Sequence, residues 1–195
     1  MRRAATNRRV LILCEGFTEE IYAKSLRSDL LPRALQRTVQ VEVVRHKKND
    51  PLNLIVEAKK RVNQAKKEKT PYQDVWLFFD HDHSPHLKEV FNIAESEGFH
   101  LAFSAISLEL WFIMHFEDCS KVFKDGEECL KYLKKVWPIY HKTKLNHFVQ
   151  LRAYMDQATV RAERLEKRYE GGITPEFNPY TSVHQLIAFF RSLDR

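Results

Sequence analysis

Val75-Trp76-Leu77-Phe78-Phe79-Asp80-His81-Asp82 is an apolar run that ends in two carboxylates. Its apolar residues show no polar alternation, which reads as a strand covered on both faces in a parallel sheet. Asp80 and Asp82, two residues apart at its carboxyl end, project on the same side of the chain. Such a pair suits a hard divalent cation, because Mg²⁺ and Mn²⁺ take oxygen ligands. The carboxyl ends of strands are also where open α/β sheets bind ligands.

The segments upstream read the same way. Val10 to Cys14 is a second continuous apolar run and predicts a strand buried on both faces. Gly16 permits a tight turn, Thr18 is a candidate cap, and Glu19 and Glu20 favour the dipole of a helix carrying Tyr22, Leu26 and Leu30 up to Pro32. Val39 to Arg45 alternates as a strand, and Asp50-Pro51 opens a long helix with the stripe Leu54, Ala58, Val62 and Ala65.

Downstream, Pro85 begins a helix that Gly98 stops, and Phe99 to Ala105 is a fourth strand. This strand-helix alternation predicts an α/β fold, a mostly parallel sheet flanked by helices. Ser107 to Phe116 reads as an apolar helix. Beyond Glu117, charge-rich helices are expected over Glu127–Trp137, Lys144–Tyr154 and Ala158–Tyr169, then a loop over Glu170–Pro179 and a closing helix over Thr181–Leu193. The division is residues 8–117 as an α/β catalytic domain and 118–195 as a helical C-terminal extension, with one continuous domain as the alternative.

Five glycines in 195 residues argue against a turn-dense all-β fold. The three cysteines form no CxxC, so neither a disulfide framework nor a zinc knuckle is indicated, and Cys14 reads as a small buried residue. The apolar stretches are too short for a membrane span, which makes a cytoplasmic protein the expectation. The formal net charge is +6, concentrated at Arg2, Arg3, Arg8 and Arg9 and along Lys59 to Lys69. That excess is either an ordinary solvated surface or attraction to a polyanion, nucleic acid or nucleotide.

In a parallel sheet all strand carboxyl ends share one edge. Glu15 and Asp80 can therefore meet although they are far apart in sequence, with Glu19 one helical turn past Glu15. Glu109, in the apolar segment Leu108 to Met114, needs a partner or a metal. Glu15, Glu19, Asp80, Asp82 and Glu109 are the candidate metal ligands, for one or two ions; Glu15, Asp80, Asp82 and Glu109 are the candidate catalytic residues. Two such ions serve phosphodiester cleavage, and a carboxylate not bound to metal can act as general base. Glu19 also has a reading in which it only favours the helix dipole. His83 is a candidate at the site's edge. His115 is read either as a phosphate contact or as a paired histidine near the core. Lys59, Lys60, Lys66 and Lys67 are candidate phosphate contacts. Zn²⁺ binding by His81, His83 and His86 is the minor reading.

At these residues the chain resembles the RloB-like family. Its pattern C-E-G-x-T-E is matched by Cys14, Glu15, Gly16, Thr18 and Glu19. D-P is matched by Asp50-Pro51, and D-x-D by Asp80 and Asp82. S-x-x-x-F-E-x-W-x-x-x-H-F is matched by Ser104, Glu109, Trp111, His115 and Phe116, and N-P-x-T-x-V by Asn178, Pro179, Thr181 and Val183. Two departures are Phe17, where a charged residue is common, and Leu108, where an aromatic is common. The family is similar to Toprim proteins, so the resemblance implies a Toprim/Rossmann-like fold. It also implies a Mg²⁺-dependent (or Mn²⁺-dependent) nuclease acting on DNA or RNA, tied to antiphage defence, abortive infection and restriction loci. Implied partners are nucleic acid and an ATPase or other defence-system protein, with a homodimer as a further option and no membrane.

Two other classes compete. One is a non-catalytic module that senses nucleic acid or nucleotide. The other is a DxD enzyme, either a phosphatase or a nucleotide-sugar glycosyltransferase. In the phosphatases the motif ends the first strand; here it ends the third and would leave Glu15 without a role.

Overall fold

The computed structural model describes residues 8–46, 50–80, 84–169 and 176–193. Asp82, His81 and His83 lie outside the described residues, as do residues 170–175 of the expected loop.

The two unbroken apolar runs form the centre of the sheet. β1 (Arg8–Cys14) pairs in parallel with β2 (Val39–Arg45) on one side and β3 (Asp74–Asp80) on the other. β3 pairs in parallel with β4 (His100–Ala105), giving the order β2-β1-β3-β4. A fifth strand, β5 (Tyr180–Thr181), closes the far edge antiparallel to β4. Two residues are too short for a periodicity to reveal, so the sequence places Thr181 in the closing helix. That helix, α8, instead spans Val183–Ser192.

Side chains alternate across the sheet as strand geometry requires. Leu11, Leu13, Val75, Leu77 and Phe79 face one layer, built from α2 (Pro51–Lys67) and α3 (Leu87–Glu97). Val10, Ile12, Cys14, Trp76 and Phe78 face the other. That second layer holds α1 (Phe17–Leu30), α4 (Glu109–Ile113), α5 (Gly126–Val136), α6 (His147–Leu151), α7 (Met155–Glu166) and α8. The expectation of a mostly parallel α/β sheet flanked by helices, with a C-terminal helix, is met. Full burial of Phe78 and Phe79 alone is worth roughly 1.5–3 kcal/mol each.

Asp50 caps α2 by accepting a hydrogen bond from the Leu52 amide at 2.9 Å, and Gly98 ends α3 with the left-handed φ of 68°. Several local expectations change, among them the helix expected over Lys144–Tyr154, whose α-helical part is only His147–Leu151. Thr18 does not cap α1: Gly16 is the N-cap, in extended geometry, and Thr18 lies buried inside the first turn. α3 starts at Leu87 rather than Pro85. The α-helical part of Ser107–Phe116 is only Glu109–Ile113, because both flanks tighten into i→i−3 turns, such as Leu110 N–H to Ser107 O and Phe116 N–H to Ile113 O. The helix expected over Ala158–Tyr169 begins earlier, at Met155, and ends at Glu166.

Candidate active site

β1 and β3 run side by side with Cys14 opposite Phe78, and the Glu15 amide extends the ladder to the Phe78 carbonyl at 3.0 Å. Glu15 and Asp80 therefore leave adjacent strands at the same edge, and the Asp80 amide lies 3.4 Å from Glu15 Oε2. On the other side of β3, Asp80 is in register with Ser104, and the chain leaving β4 turns through Ile106 and Ser107 to Glu109. The first turn of α1 brings Glu19 to the same place. Glu15, Glu19, Asp80 and Glu109 all line one cleft of about 480 Å³.

Three of these carboxylates are nearly inaccessible: Glu15 is 8%, Glu19 6% and Glu109 6% exposed. Burying a carboxylate requires compensation. For Glu109 it is Tyr140, whose hydroxyl donates to Glu109 Oε1 at 2.7 Å. Tyr140 is itself buried among Phe112, Trp137 and His147, and burial and the Glu109 charge push its own pKa up.

Glu19 is compensated less fully. Burial, and then the Glu109 charge, raise its pKa to about 7, against opposing effects of the Glu19 and Gly16 backbone and of Lys142. Its position in the third residue of α1 lets it reach back to the helix start, as the acidic member of a capping box does. A Cβ at Gly16 would overlap Glu19 Oε2. Gly16 thus serves by leaving space for that carboxylate; its φ of −117° is open to any residue.

The rest of the lining comes from beyond residue 118: Gly126, Glu127 and Leu130 of α5, and Lys142 and Thr143 of the connection to α6. Tyr140 and Lys142 were not picked out by the sequence. Their segment, Pro138 to Lys144, has no periodicity, and only the fold shows that it returns to the sheet edge.

His115 does not join the cleft lining. It is 1% exposed, with Nδ1 2.8 Å from the Trp111 carbonyl, and burial lowers its pKa to about 4, so it is a neutral core histidine. Lys59, Lys60, Lys66 and Lys67 are also absent from the lining. Lys59 pairs with Glu97 at 2.7 Å. Lys66 and Lys67 sit in the last turn of α2, a helix that starts beside the carboxyl end of β2 and runs back toward the other edge.

All the carboxylate donors are hard oxygen atoms. The donor chemistry therefore fits Mg²⁺ or Mn²⁺. Among the described residues, however, no group of three or more His, Cys, Asp or Glu side chains is gathered closely enough to hold a metal ion as it stands. The remaining acidic candidate, Asp82, is outside those residues.

Other motif residues hold the scaffold. Ser104 and Thr181 hydroxyls lie 2.9 Å apart across β4 and β5. Asn178 Nδ2 donates to the Phe123 carbonyl at 2.7 Å, and Trp111 Nε1 donates to Tyr22 Oη at 2.7 Å.

The fold and cleft define an α/β protein with an acidic site at the carboxyl edge of its sheet. The family model for RloB-like proteins matches residues 10–190, nearly the whole chain, and the chain belongs to that family. No curated protein matches it. Among the described residues no helix is long and apolar enough to cross a membrane.

Proposed function

We propose that this chain is a Mg²⁺- or Mn²⁺-dependent nuclease that hydrolyses phosphodiester bonds in DNA or RNA, acting in the cytoplasm in antiphage defence. The observation that carries this reading is the convergence of Glu15, Glu19, Asp80 and Glu109, from four separate parts of the sequence, on one cleft that also presents Lys142.

Glu15 and Asp80, with Asp82, are the residues that would hold the cation; Glu19 and Glu109 are the further carboxylates within the cleft. The cation would supply charge neutralisation at the scissile phosphate and a more acidic bound water. Tyr140 fixes Glu109 through Oε1, which leaves Oε2 to take the proton of the attacking water. Lys142 faces the negative charge that grows on the phosphate.

The test is one incubation. Purified protein meets plasmid, single-stranded DNA and tRNA with Mg²⁺, Mn²⁺ or EDTA, beside Asp80→Ala. Metal-dependent cleavage that the variant loses is expected; no cleavage of any substrate under any metal overturns the reading. A second reading, a nucleic-acid or nucleotide sensor, is favoured by the place of Glu19 in the first turn of α1, where a carboxylate serves the helix start without a metal. Tight binding without turnover, unaffected by Asp80→Ala, is its signature. A defence ATPase or a second copy of the chain as partner extends the family resemblance, and co-purification from a host that co-expresses a candidate ATPase tests it.

A further inference from the structure

Phe17 is the first residue of α1 and lines the mouth of the cleft with 43% of its surface exposed. Other large apolar side chains are exposed, Val56, Val122 and Ile139 among them, but among the described residues only Phe17 of this set lines the cleft. Its ring is held in place: the Arg45 guanidinium lies over it, 5.4 Å from the ring centre. Arg45 is in turn 3.5 Å from the Glu20 carboxylate, one turn of α1 away. A cation over an aromatic face fixes the ring without covering it from the other side, and such a ring is preordered for stacking.

The chemistry that recognises this platform is a nucleobase. Every base has a flat π-face, and aromatic side chains stack on bases with little regard to sequence. The cleft adds a size limit. At about 480 Å³ it lies in the range of roughly 300–1,000 Å³ that takes a nucleotide-sized ligand. Its carboxylates are recessed, with Glu15, Glu19 and Glu109 no more than 8% exposed. A paired duplex keeps its bases stacked inward, so it offers Phe17 no face, and it must be unstacked before one nucleotide enters a recess.

We infer that Phe17, steadied by Arg45, is a positioning residue that stacks an unpaired base next to the scissile phosphate, so that the cleft takes single-stranded or extrahelical nucleic acid. This rests on the nuclease reading for the word scissile, but the stacking can be read without turnover.

Trp76, Trp111 and Trp137 are no more than 6% exposed, so in a Phe17→Trp variant the solvent-exposed emission reports on position 17. That variant is titrated in EDTA at low salt with single-stranded DNA, single-stranded RNA, blunt duplex, and an abasic strand of equal length. Quenching by the two base-bearing single strands is expected, with little from duplex or abasic strand. Loss of one stacked base predicts that Phe17→Ala weakens single-strand binding roughly 5- to 150-fold. Phe17→Tyr restores it, and abasic binding does not change. Equal quenching by the abasic strand, or unchanged single-strand affinity in Phe17→Ala, overturns the proposal even where the wild-type protein cleaves. If the wild-type protein never cleaves but the quenching pattern holds, the nuclease reading fails and the stacking site stands.

Discussion

Replacing Tyr140 with Phe isolates the support of the acidic cleft. The substitution keeps the ring and therefore its contacts with Phe112, Trp137 and His147; it removes only the hydroxyl that donates to Glu109 Oε1 at 2.7 Å. Glu109 is 6% exposed, so water replaces that donor poorly. A hydrogen bond to a charged group is worth about 1.5–3 kcal/mol. A domain of 150–250 residues loses about 2–4 °C of Tm per kcal/mol, so Tyr140→Phe should melt roughly 3–12 °C lower in metal-free buffer near neutral pH. A hydrophobic loss would be indifferent to cations. This loss should shrink when Mg²⁺ is added, because a cation held in the same cleft by Glu15 and Asp80 offsets the Glu109 charge more where the donor is missing, and so binds the variant more tightly. The assay is a thermal melt of both proteins with EDTA and with Mg²⁺. A Tm unchanged within 1 °C or so without metal would refute the role given to the hydroxyl; a full-sized loss that Mg²⁺ leaves untouched would refute the link between Glu109 and a cation.

Glu19 should make the metal-free protein less stable as pH rises from about 4.5 to about 7: across that window the folded state holds the proton that the unfolded carboxyl releases. His115, with its folded pKa near 4, slopes the other way below 6.5, so the Tm difference between wild type and Glu19→Gln over pH 4.5–8 is the measurement; a flat difference would sink this assignment. Gly16→Ala should cost roughly 1 kcal/mol as a poorer N-cap while evicting the Glu19 carboxylate, so metal-dependent activity should fall further than the melt implies, and parallel changes in both would count against it. Lys142→Ala should weaken nucleic-acid binding and lower the salt slope by about one, whereas Lys66→Ala with Lys67→Ala should leave both unchanged; the reverse pattern, measured by salt titration of binding, would return phosphate contact to α2.

What could be read from the chain divides by the range of the signal. β1, β3 and the opening of α2 rest on local facts: unbroken apolar runs covered on both faces, and an Asp-Pro that caps and starts a helix. Glu15 and Asp80 follow from topology alone, since parallel strands bring their ends to one edge whatever lies between. The elements that escaped have no local signature. β5 is two residues long and exists because Ser104 and Thr181 face each other. Tyr140 and Lys142 stand in an aperiodic connection, and nothing near them in sequence says that this connection folds over the cleft. The lysine-rich α2 is the converse case. Its charge is obvious in sequence, but the helix runs away from the edge where the carboxylates gather.

The position of Glu109 shows why the cleft depends on the last third of the chain. Its helix has only five residues, too short to hold a shape without packing. It is fixed from three sides. Trp111 is anchored by Nε1 to Tyr22 on α1, the Met114 carbonyl accepts from Arg161 on α7 at 2.8 Å, and Glu109 itself is held by Tyr140. Asn178 clamps Phe123, and β5 seals the edge beside β4, from which α4 departs. A carboxylate buried in an apolar segment is costly wherever its partners are missing. Placing those partners on segments distant in sequence means that the acidic cleft forms only when the second helical layer has closed on the sheet. The placing of Glu109 beside Glu15 and Asp80 is thereby coupled to the packing of that layer.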